Sequence, residues 1–315
     1  MSPLAVLATL AAALGAEAPA RPPIRGISHV AFRVSDVGAA RSFYEDFLGY
    51  RSFPAPGMEA SGSAAITIVP VNDRQYVELR PGLAAEEDRL HHIALETDDV
   101  AAMRGSLASR GVDVPAGLAP DVLGRNSFTV RDPEGHVVEL VQRTRGGRPL
   151  IPDRAGSPRA APVSRRLLHV GVIAGDVAPA LRFYGEVLGF PETWRGSRSG
   201  RELSWINVRV PDGDDYVELM LYAERPAPGA RGTQHHICLE VPDVEEARAL
   251  LETRRSRAAY ARPLEVRVGT NRKRQLNLYD PDGTRVELME PRTVDGQPAP
   301  SSTAPPPRRP GNLRY

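Results

Sequence analysis

The 315-residue sequence predicts an α+β fold of four βαβββ modules arranged in two pairs, and three observations carry that expectation. First, the stretch Gly26-Ile-Ser-His-Val-Ala-Phe-Arg-Val-Ser-Asp-Val37 recurs as Leu90-His-His-Ile-Ala-Leu-Glu-Thr-Asp-Asp-Val100, Leu167-Leu-His-Val-Gly-Val-Ile-Ala-Gly-Asp-Val177 and Gln234-His-His-Ile-Cys-Leu-Glu-Val-Pro-Asp-Val244. A repeat of this kind sets the architecture before any local propensity does. Second, each copy is followed by a short apolar run ending in Val-Glu-Leu, which places Glu78, Glu139, Glu218 and Glu287. Third, an Arg-, Pro-, Gly- and Ser-rich stretch without periodicity separates the second copy from the third, as a linker between domains does.

The first strand covers about Ile27 to Val34. Its alternation sends His29, Ala31 and Arg33 to one face and Val30, Phe32 and Val34 to the other. Asp36 is placed to cap a helix with the apolar stripe Val37, Ala40, Phe43, Tyr44, Phe47 and Leu48, and Gly49 suits its left-handed close. Strand-like runs follow at Ala64 to Val69 and Gln75 to Leu79, around a turn containing Asn72 and Asp73. The second module repeats this order. It has a strand from His92 to Thr97, a helix from Asp99 to a stop near Gly111, and strands Asn126 to Val130 and Val137 to Val141 around Asp132-Pro-Glu-Gly135. In that tetrad proline presets one turn residue and glycine accepts the positive φ of a tight connection.

The third module starts at Leu167, with a helix from Asp176 to Leu188 and strands Leu203 to Val210 and Tyr216 to Leu221. The fourth has a strand from His236 to Val241 and a helix from Asp243 to about Arg254. Its strands Gln275 to Tyr279 and Arg285 to Met289 flank Asp280-Pro-Asp-Gly283. The domain boundaries read from this pattern are 22–143 and 166–291, with a linker at 144–165. The Pro- and Ser-rich tail, 292–315, is expected to be disordered.

Composition narrows the function classes. Forty basic and 39 acidic residues leave a formal charge of +1, without the concentrated basic surface that nucleic acid binding needs. The single cysteine, Cys238, excludes an intramolecular disulfide framework and a cysteine-rich metal site, and its strand position reads as a small buried hydrophobe. Leu4 to Leu14 is apolar but too short to span a bilayer. The A-x-A spacings Ala16/Ala18 and Ala18/Ala20 then precede Arg21-Pro-Pro, although no lysine or arginine stands near the start. This layout makes residues 1–20 an expected signal peptide and the protein an exported one, periplasmic or extracellular, free of the membrane after processing.

Aligned on the closing Asp-Val, the four copies place His29, His92, His169 and His236 at one position. A histidine on a first strand and a glutamate on a last strand can point into the same concave sheet. A lone histidine in a strand is ordinarily a structural residue, so the weight lies on the complete set. Together the modules offer two groups of two imidazoles and two carboxylates. Mixed imidazole and carboxylate ligation suits divalent Zn, Ni, Co, Mn or Fe, and the sequence does not choose among them. His91 and His235 alternate to the opposite face and read as structural or supporting residues.

The motifs His29-Val-Ala-Phe with Phe43-Tyr-Glu-Asp-Phe-Leu-Gly49, and Asp132-Pro-Glu-Gly-His-Val-Val-Glu-Leu140, each have a counterpart in the second half. They closely resemble the vicinal oxygen chelate superfamily, from about Ile24 to Pro291. That superfamily includes glyoxalase I, extradiol dioxygenases, methylmalonyl-CoA epimerase and the bleomycin- and fosfomycin-resistance proteins. The resemblance implies two glyoxalase-like cupped-sheet domains, each made by two modules. The modules pair within a half, between halves or between the chains of a homodimer. It implies the metal quartets His29, Glu78, His92, Glu139 and His169, Glu218, His236, Glu287, the ligand pattern of glyoxalase I.

In that enzyme a ligand glutamate acts as base while the metal stabilises an enediolate. The resemblance makes Glu139 and Glu287 the candidate bases, with Glu78 and Glu218 as alternatives, and Arg33 a substrate-binding residue. Ile173 stands where a second Arg33 would be, and the other glutathione contacts are not evident. The implied activity is therefore glyoxalase-like lyase or isomerase chemistry on some small oxygenated molecule. Two other activities are open. An extradiol dioxygenase would use His169, His236 and Glu287 around Fe²⁺, but Asn277 occupies the place of that family's tyrosine. A non-catalytic protein of the bleomycin-resistance type would clasp a small molecule in its cupped sheets, with Trp194, Trp205 and Tyr216 as candidate walls.

Overall fold

A computed structural model describes residues 20–143 and 160–308. The expected signal peptide, except for Ala20, most of the linker, and residues 309–315 lie outside the described residues. The first module contains β1 (Ile24–Val34), α1 (Val37–Arg41), β2 (Phe53–Pro54), β3 (Thr67–Pro70) and β4 (Tyr76–Pro81). The second contains β5 (Leu90–Thr97), α2 (Val100–Ser109), β6 (Ala119–Pro120), β7 (Asn126–Arg131) and β8 (Val137–Gln142). The third and fourth modules repeat the order. They comprise β9 (Leu167–Ala174), α3 (Val177–Leu181), β10 (Glu192–Gly196), β11 (Trp205–Arg209) and β12 (Tyr216–Leu221), then β13 (His236–Glu240), α4 (Val244–Glu252), β14 (Val266–Val268), β15 (Lys273–Tyr279) and β16 (Arg285–Thr293).

Modules pair within each half. The eight-stranded sheets run β2-β3-β4-β1-β5-β8-β7-β6 and β10-β11-β12-β9-β13-β16-β15-β14. In the first, β1 lies parallel to β4 and antiparallel to β5, and β5 lies parallel to β8. Four strands that carry a repeated histidine or glutamate are thus adjacent at the centre of each sheet. The other face of each sheet is apolar. Val30, Phe32, Val170 and Val172 are fully buried in one core that runs through both domains.

The four repeated aspartates are N-caps. Asp36, Asp99, Asp176 and Asp243 each accept a hydrogen bond from a backbone N–H in the first turn that follows. The helices after Asp36 and Asp176 depart from expectation. Each is α-helical for five residues and then widens into a π-helix, Ser42–Phe47 and Arg182–Val187. The wider turn lets consecutive aromatic residues, Phe43 with Tyr44 and Phe183 with Tyr184, all enter the core.

The tail also corrects its expectation as far as it is described. β16 continues to Thr293, and the proline-rich residues beyond it lie along the edge strand β10. Ser302 N–H donates to Arg195 O (2.9 Å), Trp194 Nε1–H to Pro300 O (3.1 Å) and Leu203 N–H to Pro305 O (2.8 Å). An open sheet edge presents unpaired backbone groups, and the tail both donates to the edge carbonyl of Arg195 and offers proline carbonyls to the Trp194 indole and Leu203 N–H.

Polar contacts join the domains around their shared core. Asp215 accepts from Ile27 N–H (2.9 Å), while Gln75 donates to Leu167 O (2.9 Å) and accepts from Leu167 N–H (3.0 Å). The ring of Phe47 stacks on Tyr260 at 4.6 Å.

Candidate metal centres

The sheet register assembles each quartet. In the second domain Tyr216, His169 and Cys238 are successive neighbours across β12, β9 and β13, with Glu287 next on β16. The adjacent row runs Glu218, Gly171, His236, Arg285. Because alternate residues share a face, His169, Glu218, His236 and Glu287 converge on one point of the concave surface. The first domain repeats the two rows, with Tyr76, His29, Ala94, Glu139 in one and Glu78, Ala31, His92 in the other.

All eight expected residues converge, four in each cup. In the first quartet His29 Nε2 lies 2.8 Å from His92 Nε2, 3.2 Å from Glu139 and 3.8 Å from Glu78, and His92 Nε2 lies 3.4 Å from Glu139. In the second, His169 Nε2 lies 3.1 Å from His236 Nε2, 3.4 Å from Glu287 and 3.9 Å from Glu218. His236 Nε2 is 3.5 Å from Glu218. All eight are buried.

The donor set fits a divalent cation. His236 Nδ1 lies 2.7 Å from the carbonyl of Gln234, which can only accept, while Arg285 Nη2 sits 2.8 Å from both ring nitrogens and so along neither lone pair; the carbonyl therefore places the proton on Nδ1 and Nε2 presents a lone pair. That lone pair faces a second imidazole nitrogen and two carboxylates, an arrangement that a cation at the centre stabilises. Burial pushes His236 well below the ordinary histidine value and His29 down to about 4, so both are neutral ligands at neutral pH. His29, Glu78 and His92, and His169, His236 and Glu287, each bring ligand atoms within 4.8 Å of one another.

The glutamates within a quartet differ. Hydrogen bonds from His29 and His92 outweigh burial and hold Glu139 below the carboxylate range, and His169 acts likewise on Glu287. Burial pushes Glu78 and Glu218 upward. Glu78 is also tied to Arg80, while its Oε2 has no hydrogen-bond partner among the described residues.

Several supporting residues carried little sequence signal. Tyr76 stacks on His29 at 4.3 Å and Tyr216 packs on His169 at 4.5 Å, fixing each first-strand imidazole. Arg125 reaches from the loop before β7 to Tyr76 Oη (3.1 Å), Ser28 Oγ (3.2 Å) and Asp121. His91 bonds His92 through Nδ1 at 2.7 Å, a supporting contact. His235 instead turns to the domain interface, where its Nδ1 meets Asp88 at 2.8 Å. Arg33 does lie on the cup face of β1, but its guanidinium is paired with Glu87 at 2.8 Å. Trp205 lines a cavity beside the second quartet, and Trp194 a neighbouring one with Tyr216. Among the described residues, no helix is long and apolar enough to cross a membrane.

Known proteins match this arrangement. The family model described as Glyoxalase/Bleomycin resistance protein/Dioxygenase superfamily matches residues 26–140 and 166–288. Protein YaeR of Escherichia coli is 30% identical over 131 residues, covering 40% of this chain and 96% of its own. A lactoylglutathione lyase of Arabidopsis thaliana is 26% identical over 173 residues, 52% of this chain and 55% of its own. Two solved structures share the fold at 18% identity. The 2,3-dioxygenase LapB of Pseudomonas has a TM-score of 0.64 over 89% of this chain and 97% of its own. A Mn(II)-bound glyoxalase of Novosphingobium aromaticivorans has 0.62 over 85% of this chain and 83% of its own. With both halves matched and the quartets formed where the two-module sheets predict them, the chain belongs to the glyoxalase/bleomycin resistance protein/dioxygenase superfamily.

Proposed function

We propose that the protein is a divalent-metal-dependent enzyme that moves a proton on a small molecule with adjacent oxygens, in the manner of a glyoxalase I-like lyase or isomerase. The observation that carries this reading is the four-donor quartet in each cup. A divalent ion held there supplies Lewis-acid polarisation of a substrate oxygen. An octahedral ion held by all four donors would keep room for a substrate chelating through two oxygens, and for dioxygen beside it only if a glutamate left the ion. Glu139 and Glu287 are the candidate bases, each with a carboxylate oxygen within 3.4 Å of a quartet histidine Nε2, and Glu78 and Glu218, which burial pushes upward, are the alternatives. Glu78 is less suited because Arg80 already engages it. Arg33 contributes to substrate binding only where an anionic group displaces Glu87.

The dioxygenase alternative draws on the fold shared with ring-cleaving enzymes. Asn277, directly across from Glu287, supplies no phenol there. The purely binding alternative does not require the complete quartets. Export to the periplasm or exterior belongs to the same proposal, and N-terminal sequencing of secreted material tests it.

The activity is tested by stripping the protein, reloading it with Zn²⁺ or Ni²⁺ and assaying 2-hydroxycarbonyl compounds under argon. Turnover that depends on the ion and not on oxygen supports the reading. Catechol-dependent oxygen uptake restored only by Fe²⁺ or Mn²⁺ would assign the dioxygenase reading instead.

A further inference from the structure

The two quartets have different surroundings. In the first domain Ile68 stands across from Glu78 and Thr129 across from Glu139, and apolar side chains including Phe53, Met58 and Ile66 pack around Tyr76. In the second domain asparagines take both cross-strand places, Asn207 opposite Glu218 and Asn277 opposite Glu287. The side-chain oxygens of Asn207, Asn277 and Gln234, and Nε of Arg285, are buried without a hydrogen-bond partner among the described residues. Of these, Gln234 and Arg285 line one cavity, and since buried polar atoms are normally paired, unpaired ones at a cavity mark where a polar ligand belongs.

Arg285 stands at the edge of this cavity. It lines a space of about 510 Å³ together with Trp205, Met220, Gln234 and Tyr279. Val137 holds the equivalent position in the first half, two residues before its glutamate. Arg285 Nη2 packs against the imidazole of His236, 2.8 Å from both ring nitrogens, and no ion pair engages its guanidinium among the described residues. A divalent ion in the quartet repels a guanidinium held this close to a ligand imidazole, so loading the quartet favours its turn into the cavity that it lines.

We infer that the second cup takes a substrate bearing a carboxylate in addition to its vicinal oxygens, and that Arg285 receives that carboxylate. The inference rests on the metal reading of the quartet. A guanidinium fork matches a carboxylate in shape and charge, and the half-buried site strengthens the pair. The aromatic rings of Trp205 and Tyr279 give the cavity flat apolar walls for the attached carbon skeleton. The first cup, with Val137, has no counterpart of this residue.

Both tryptophans, Trp194 and Trp205, belong to the second domain, so tryptophan fluorescence reports on that cup alone. Zn²⁺-loaded protein is titrated with protocatechuate, whose adjacent hydroxyls chelate a metal, and with its carboxamide. The acid is expected to bind about tenfold more tightly than the amide. Arg285→Gln should bring the ratio to about one at unchanged metal content, and Arg285→Lys should recover part of it. Equal affinities in the wild type, no binding of either probe, or a ratio that survives Arg285→Gln would overturn the inference. Removing the metal should abolish binding of both probes. Affinities unaffected by its removal would sink the metal reading, while the acid-to-amide ratio would still measure the part played by Arg285.

Discussion

His169 and His236 meet Nε2 to Nε2 at 3.1 Å, and the opposite nitrogen of His236 is fixed by the carbonyl of Gln234. The pair is therefore oriented as ligands before any ion arrives. His29 and His92 meet the same way at 2.8 Å, so the protein should bind two divalent ions per chain. Elemental analysis is expected to find about one equivalent in His236→Ala and about one in His92→Ala, and almost none in the double variant. Metal content unchanged by His92→Ala would make the first quartet structural only.

Metal should also stabilise the folded chain. An ion present at a hundred times its dissociation constant contributes about 2.7 kcal/mol by mass action. Chelation is expected to lower Tm by about 5 °C, and Zn²⁺ to restore it. Coincident melting curves with and without chelator would contradict the account.

The turns before the last strands give a prediction about pH. Asp132 bonds His136 (2.8 Å) and receives Tyr184 O–H (3.0 Å) from the other domain. Its counterpart Asp280 accepts from Thr284 N–H through Oδ1, but its Oδ2 is buried without a partner among the described residues. Burial pushes Asp280 up to about 7. A carboxyl whose folded value is raised binds its proton more tightly when folded. Its stabilising contribution is full below its unfolded value and is lost as pH rises through 7. Asp280→Asn should therefore raise Tm at pH 8 and change it little at pH 5. A loss of stability at pH 8 would show that Oδ2 is paired.

The equivalent tyrosines test the same asymmetry from the other side. Tyr184 donates to Asp132, whereas buried Tyr44 Oη has no partner among the described residues. Tyr184→Phe should cost about 1–3 kcal/mol, and Tyr44→Phe should be nearly neutral. Denaturant melts of the two variants with equal midpoints would reject the distinction.

Much of this was legible because the repeated residues serve both packing and chemistry. Asp-Val marks an N-cap at Asp36, Asp99, Asp176 and Asp243, and period-two alternation then places each histidine on the concave face. The two-residue strands β2 and β6 were not legible, since Phe53–Pro54 and Ala119–Pro120 are too short to show alternation. The π-turn at Ser42 was hidden because Phe43 and Tyr44 fit an α-helical stripe nearly as well. Arg125 and Arg285 gave no signal beyond charge. Their roles depend on neighbours brought together by sheet register, with Tyr76 Oη 49 residues from Arg125 and His236 49 residues from Arg285.

Redox-free proton transfer at the quartets is read out by deuterium wash-in. Zn²⁺-loaded protein is incubated under argon in D₂O with a 2-hydroxycarbonyl compound, and deuterium at the carbon beside the carbonyl is followed by NMR. Ion-dependent incorporation is expected, falling at least about a hundredfold when Glu139→Gln and Glu287→Gln are combined, with the fold retained. No incorporation by the Zn²⁺ protein, together with catechol-dependent oxygen consumption by the Fe²⁺ or Mn²⁺ protein, would contradict it.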